Sequence, residues 1–231
     1  MSLTEQREGI EAGRLDMFVD GAFAFILTLL LIGGDKIPDS TDKLLYMLGG
    51  VPAFAVCFFQ IAFFWHGHVR WRKRCHSADS TGRWLSLLLV FFAMIFVYPL
   101  HMVYSGAFNS LSGGLLPSDF HLTGGPADIR ALFACFGFAY ACMAGTLALM
   151  FRHAARNGDL TRANAISVHV SVASWAYYAG VGLLSALIAL SAFATGTEWL
   201  IAAAGFSYAL LGFTGGIANR YRARIEQGRA P

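Results

Sequence analysis

Six stretches of 18 to 29 residues carry at most one charged side chain each, and this feature most limits what the chain can become. They run roughly 17–34, 44–69, 84–106, 129–151, 165–193 and 197–218. A bilayer core is about 30 Å thick and takes roughly 20 apolar residues per helix. Composition agrees: 56% of residues are apolar and 13% charged, where soluble domains carry about 25% charged residues. The expected fold is an all-α integral membrane protein, one domain of six transmembrane helices over residues 1–231, with no soluble domain left over.

The first 16 residues hold Glu5, Arg7, Glu8, Glu11, Arg14 and Asp16. That is too charged for the start of a secretory signal peptide, so the first block reads as a true span. Lys and Arg in the connecting segments set the orientation. With the N-terminus inside, the inner segments hold 14 of the 17 basic residues and the outer ones only Lys36, Lys43 and Arg130. Both termini are therefore expected in the cytoplasm. The net charge of +3 follows from this topology and implies no nucleic-acid partner. The run RWRKR (70–74) falls at the level of anionic headgroups.

Cys57, Cys75, Cys135 and Cys142 form no CxxC pair, so neither a disulfide framework nor a zinc site is indicated. Gly137, Ala141 and Gly145, and the pair Gly212 and Gly216, have the spacing of close helix contacts. Segment 107–128, rich in Gly, Ser and Pro, reads as an irregular outer turn.

Helix 1 differs from the others. Each helical residue advances about 100°. Phe18, Phe25, Leu29 and Ile32 then share one face, with Thr28 beside them. Asp20 points about 140° from Phe25, into neighbouring helices rather than along the stripe. It is expected to be a structural anchor, with Arg14, Trp65, His66 or His68 as partner at the same depth.

The stretch RLDMFVDGAFAFILTLLLIG resembles the first-helix signature of the transmembrane-protein-175 family of potassium channels, lysosomal and bacterial. That signature is an Arg, three residues, Phe-Ser-Asp-Gly, then an apolar run containing Thr. Here it is Arg14, Phe18, Val19, Asp20, Gly21 and Thr28. The family's Phe-Trp with a His three residues on is Phe64, Trp65 and His68, and its third-helix Pro is Pro99. The resemblance implies a potassium-permeable channel in a bacterial plasma membrane. It implies a homotetramer with helix 1 of each subunit lining a central pore, and no cofactor. Carried over by position, the constriction is Phe25, Leu29 and Ile32, and the hydroxyl layer is Thr28. The family's packed polar network maps to Arg14, Phe18, Asp20, Trp65 and His68. Two departures stand out: Val19 replaces the signature Ser, and Phe25 stands where Ile or Leu is usual.

Two other classes compete. A secondary transporter usually needs ionisable residues deep in the membrane. The 14 acidic residues here sit in loops, at span ends or in terminal segments. A haem-carrying oxidoreductase would use His66 or His68 with His169 as axial ligands. No hydrolase elbow, phosphate loop or HExxH motif supports an enzyme.

Overall fold

The computed structural model describes residues 3–32, 39–74, 79–118, 125–157, 161–197 and 199–227. All regular structure among them is helical: α1 (Leu3–Ile32), α2 (Thr41–Gly49), α3 (Val51–Arg72), α4 (Ser80–Leu111), α5 (Pro126–Asn157), α6 (Arg162–Thr195), α7 (Trp199–Phe206) and α8 (Thr214–Glu226). A 3₁₀ segment, Ser207–Phe213, joins the last two. Among the described residues five stretches are long and apolar enough to cross a membrane: Val51–Arg72, Ser80–Leu111, Pro126–Asn157, Asn164–Thr195 and Trp199–Ile225. Helix α1 packs beside them against α3 and α4.

The apolar block expected over 44–69 is two helices. Gly49 and Gly50 precede Pro52, which lacks an N–H and suits only the first turn of a helix. The chain therefore stops α2 and restarts as α3. Ser40 caps α2 by accepting from the Lys43 N–H at 3.3 Å. Helix α2 buries no residue and leaves Leu44, Leu45, Tyr46 and Leu48 exposed.

Helix α1 is longer than its apolar block. It starts at Leu3, so the acidic and basic residues expected in a terminal segment lie on the same helix as Phe25. The last span tightens at Ser207–Phe213. There the Ser207 and Thr214 hydroxyls donate back to the Ala204 and Leu211 carbonyls, a pattern that bends helices. Helix α4 runs on to Leu111, so the outer turn begins later than 107. Gly113 and Gly114 make that turn at φ 64° and 89°, where only glycine is unstrained.

The helices α5 and α6 share the most extensive contact. A methyl at Gly137 would lie 2.7 Å from the Gly182 carbonyl oxygen, and one at Gly182 would lie 2.9 Å from the Ala141 nitrogen. Backbone thus meets backbone at this crossing, as the small-residue spacing predicts. A methyl at Gly212 or Gly216 would meet nothing within 4 Å, so that pair marks no close helix contact among the described residues. An aromatic cluster fills the centre: Phe64 packs edge-on against Phe96 and Tyr140 and tilted against Trp175. Gly67 leaves room for the Trp175 ring, which a methyl there would meet at 2.6 Å.

Candidate functional site

Helix α1 has two faces. Val19, Phe23, Ile26 and Leu30 recur at helical spacing and are buried in the core that α3 and α4 complete. On the other side Phe18, Gly21, Phe25 and Thr28 are exposed in the single chain. Phe18 is 56% and Phe25 52% exposed, a level that other apolar side chains on the spanning helices, such as Phe59 and Phe138, also reach. Leu29 is half-buried at the shoulder between the faces. Ile32 ends the helix, and its side chain lies outside the described residues.

The Thr28 hydroxyl donates to the Ala24 carbonyl of its own helix at 3.0 Å. Its one proton is then committed inward, and its oxygen lone pairs remain on the exposed face.

Two polar ties fix this helix against α3. The Trp65 indole N–H donates to Asp20 Oδ1 at 2.8 Å. Trp65 is one of the partners expected for Asp20, and both residues are exposed, so this tie lies at the edge of the α1–α3 contact. The second tie escapes the sequence reading. Arg72 donates through Nε to Asp16 Oδ1 at 2.7 Å and through Nη2 to Oδ2 at 3.3 Å. The Arg72 side chain is only 10% exposed, and Asp16 39%. Its guanidinium also lies 5.5 Å from the Trp71 ring centre. The signal is present in the spacing: Asp16 and Asp20 are four apart on α1, and Trp65 and Arg72 seven apart on α3. Each pair shares one helix face.

His68 does not reach Asp20. It is 2% exposed, and its Nε2 lies 3.1 Å from Ser86 Oγ on α4. Ser86 donates its own proton to the Gly82 carbonyl at 2.9 Å. The Ser86 oxygen can therefore only accept from His68, which places a proton on Nε2. Of the expected network, then, Asp20 meets Trp65, His68 ties α3 to α4, and Phe18 and Arg14 stand exposed. Val19, in the signature's Ser position, is wholly buried among apolar neighbours. Adjacent residues on α3 divide the work: Phe64 enters the core while Trp65, about 100° around, reaches α1. His169 donates from Nδ1 to the Ala165 carbonyl at 2.8 Å when that nitrogen is protonated.

Beyond α1, the basic end of the molecule is laced together. Asp79 caps α4 through the Gly82 N–H at 3.3 Å and pairs with His153 of α5 at 2.8 Å. Arg74 donates to Ser167 of α6 at 2.8 Å.

Residues 14–98 match the family described as endosomal/lysosomal potassium channel TMEM175. A protein named potassium channel from Marivirga tractuosa is 24% identical over 194 residues, which is 79% of this chain and 76% of that relative. The fold is similar to a crystal structure of a variant of the potassium channel MtTMEM175 in complex with a nanobody fusion protein. That match has a TM-score of 0.77 at 22% identity and covers 91% of this chain and 93% of the other. It is also similar to a lysosomal potassium-selective channel TMEM175 homolog from Chamaesiphon minutus, with a TM-score of 0.59 at 18% identity over 90% and 98% of the two chains. At these identities the two structures speak for the fold alone. The sequence match runs from Arg14 of α1 through α3 and most of α4, the elements that carry the two-faced helix and its polar ties, and over these residues the chain is similar to the TMEM175 family.

Proposed function

We propose that this protein is a potassium-permeable cation channel. Six transmembrane helices per subunit, with both termini cytoplasmic, assemble as a homotetramer in a bacterial plasma membrane. Helix α1 of each subunit faces the central pore. The observation that carries the reading is the second face of α1, where Phe18, Gly21, Phe25 and Thr28 are exposed opposite a fully buried stripe. An apolar face left open on one chain invites burial against other copies or against the pore axis.

In this arrangement Phe25, Leu29 and Ile32 form the constriction. Rings of apolar side chains gate by excluding water. Thr28 supplies a layer of hydroxyl oxygens whose protons point back to Ala24, so lone pairs are offered to a passing cation. Conduction is passive, and no bond is made or broken, so no catalytic group is required. The ties Asp16–Arg72 and Trp65–Asp20 hold α1 at a fixed angle to α3. Residues that set the pore width thus stand on a braced helix.

The test is flux from purified protein in liposomes, with potassium and then sodium as the only permeant cation. Potassium flux above sodium flux is expected. Transport that requires a co-transported solute contradicts this function, and equal flux of both ions leaves a cation channel without potassium preference.

A further inference from the structure

A cavity of about 300 Å³ opens between α3, α6 and α8, away from α1. Its mouth holds Arg70 from the last turn of α3, Arg222 from α8 and Ser167 from the start of α6. Its floor is aromatic, with Phe63, Trp175 and Tyr178. Phe63 lies 5.0 Å from Trp175 and 5.5 Å from Tyr178 between ring centres, so the floor is one packed surface. Among the described residues, none that lines the cavity is acidic.

The donors point to what it takes. Ser171 and Ser174 spend their protons on backbone carbonyls of α6, at 2.9 Å each. Ser167 accepts from Arg74, so its own O–H remains to be given. The groups offered to a ligand are therefore two guanidinia and one hydroxyl, all donors, the set that suits phosphate oxygens. Like charge crowds this mouth: burial and the neighbouring Arg70 both push the Arg74 guanidinium below its usual range.

We infer that this cavity holds the headgroup of an anionic phospholipid, its phosphate between Arg70 and Arg222 and its glycerol and upper acyl carbons on the Phe63–Trp175–Tyr178 floor. The volume exceeds what a bare phosphate fills. The site also lies at the Arg-rich ends of membrane helices, where headgroups reside. The inference goes beyond conduction and does not depend on it.

Purified full-length protein in dodecyl maltoside is titrated with phosphatidylglycerol, with phosphatidylcholine of the same chains, or with inorganic phosphate, and thermal unfolding is followed. Phosphatidylglycerol raises the melting temperature saturably, and phosphatidylcholine does not. Arg70→Gln/Arg222→Gln weakens the apparent phosphatidylglycerol affinity about thirtyfold, at about 1 kcal/mol for each arginine. Should the double variant fail to fold, Arg222→Gln alone shows a smaller loss that Arg222→Lys partly restores. Equal stabilisation of wild type and variants overturns the site. An identical shift from inorganic phosphate alone overturns the lipid in favour of a free anion.

Discussion

Phe25→Ala raises potassium flux through the reconstituted protein by about tenfold or more, which corresponds to a barrier lower by about 1.4 kcal/mol. The substitution removes a ring that is half-exposed in the single chain and takes no part in the core. Folding of the subunit is therefore little affected, while the proposed constriction loses four rings at one level. Wider and more easily wetted, the pore also discriminates less between potassium and sodium. Flux in liposomes, measured beside Phe23→Ala, separates this effect from damage to the helix. Phe23 is 2% exposed on the opposite face, and its loss lowers stability without opening the pore. Unchanged flux and ion preference in an active Phe25→Ala channel place the constriction elsewhere.

Asp16→Asn destabilises the protein by about 1.5–3 kcal/mol, the range for hydrogen bonds to charged groups. It does so more than Asp20→Asn. The difference follows from burial. Arg72 is only 10% exposed, and neutralising Asp16 removes the carboxylate that its guanidinium faces. Trp65 and Asp20 are both exposed, so water replaces their hydrogen bond at small loss. Arg72→Met costs less than Asp16→Asn, because Asp16 is more exposed and can turn to solvent. Thermal unfolding of the two single variants and their combination gives the coupling between them. Additive losses contradict the ion pair.

The parts of this molecule legible in its sequence are those governed by periodicity. Long uncharged blocks point to spanning helices, and five stretches among the described residues have the length and apolarity to cross a membrane. A 3.6-residue repeat puts Phe18, Phe25 and Thr28 on one side of α1 whatever surrounds it. The small-residue spacing at Gly137 and Ala141 names a helix crossing before any partner helix is known. Trp65 is likewise recognisable as an indole donor level with Asp20.

What stayed hidden depends on local punctuation or on pairing between helices. Apolar content alone runs through Gly49, Gly50 and Pro52, although those residues end one helix and begin another. The charged residues before Asp16 look like a polar tail, yet they continue α1, because Glu, Arg and Gln are good helix formers. Arg72 belongs by composition to a basic run expected at the headgroups. Only the docking of α3 on α1 turns that one arginine inward to Asp16. His68 shares a depth with Asp20, but its direction from α3 is fixed by Ser86 on a third helix, which no spacing within α1 and α3 reports.

The central claim is that the exposed face of α1 lines the path of the ion. Its most direct test is Thr28→Cys, reconstituted in liposomes and treated with a cationic methanethiosulfonate during potassium flux. Wild-type protein and a Leu30→Cys variant, whose position is 4% exposed on the buried face, serve as controls. Rapid block of Thr28→Cys, slowed by high potassium and absent from both controls, is the predicted result. Flux that continues after complete modification of Cys at position 28 would contradict it and remove α1 from the pore.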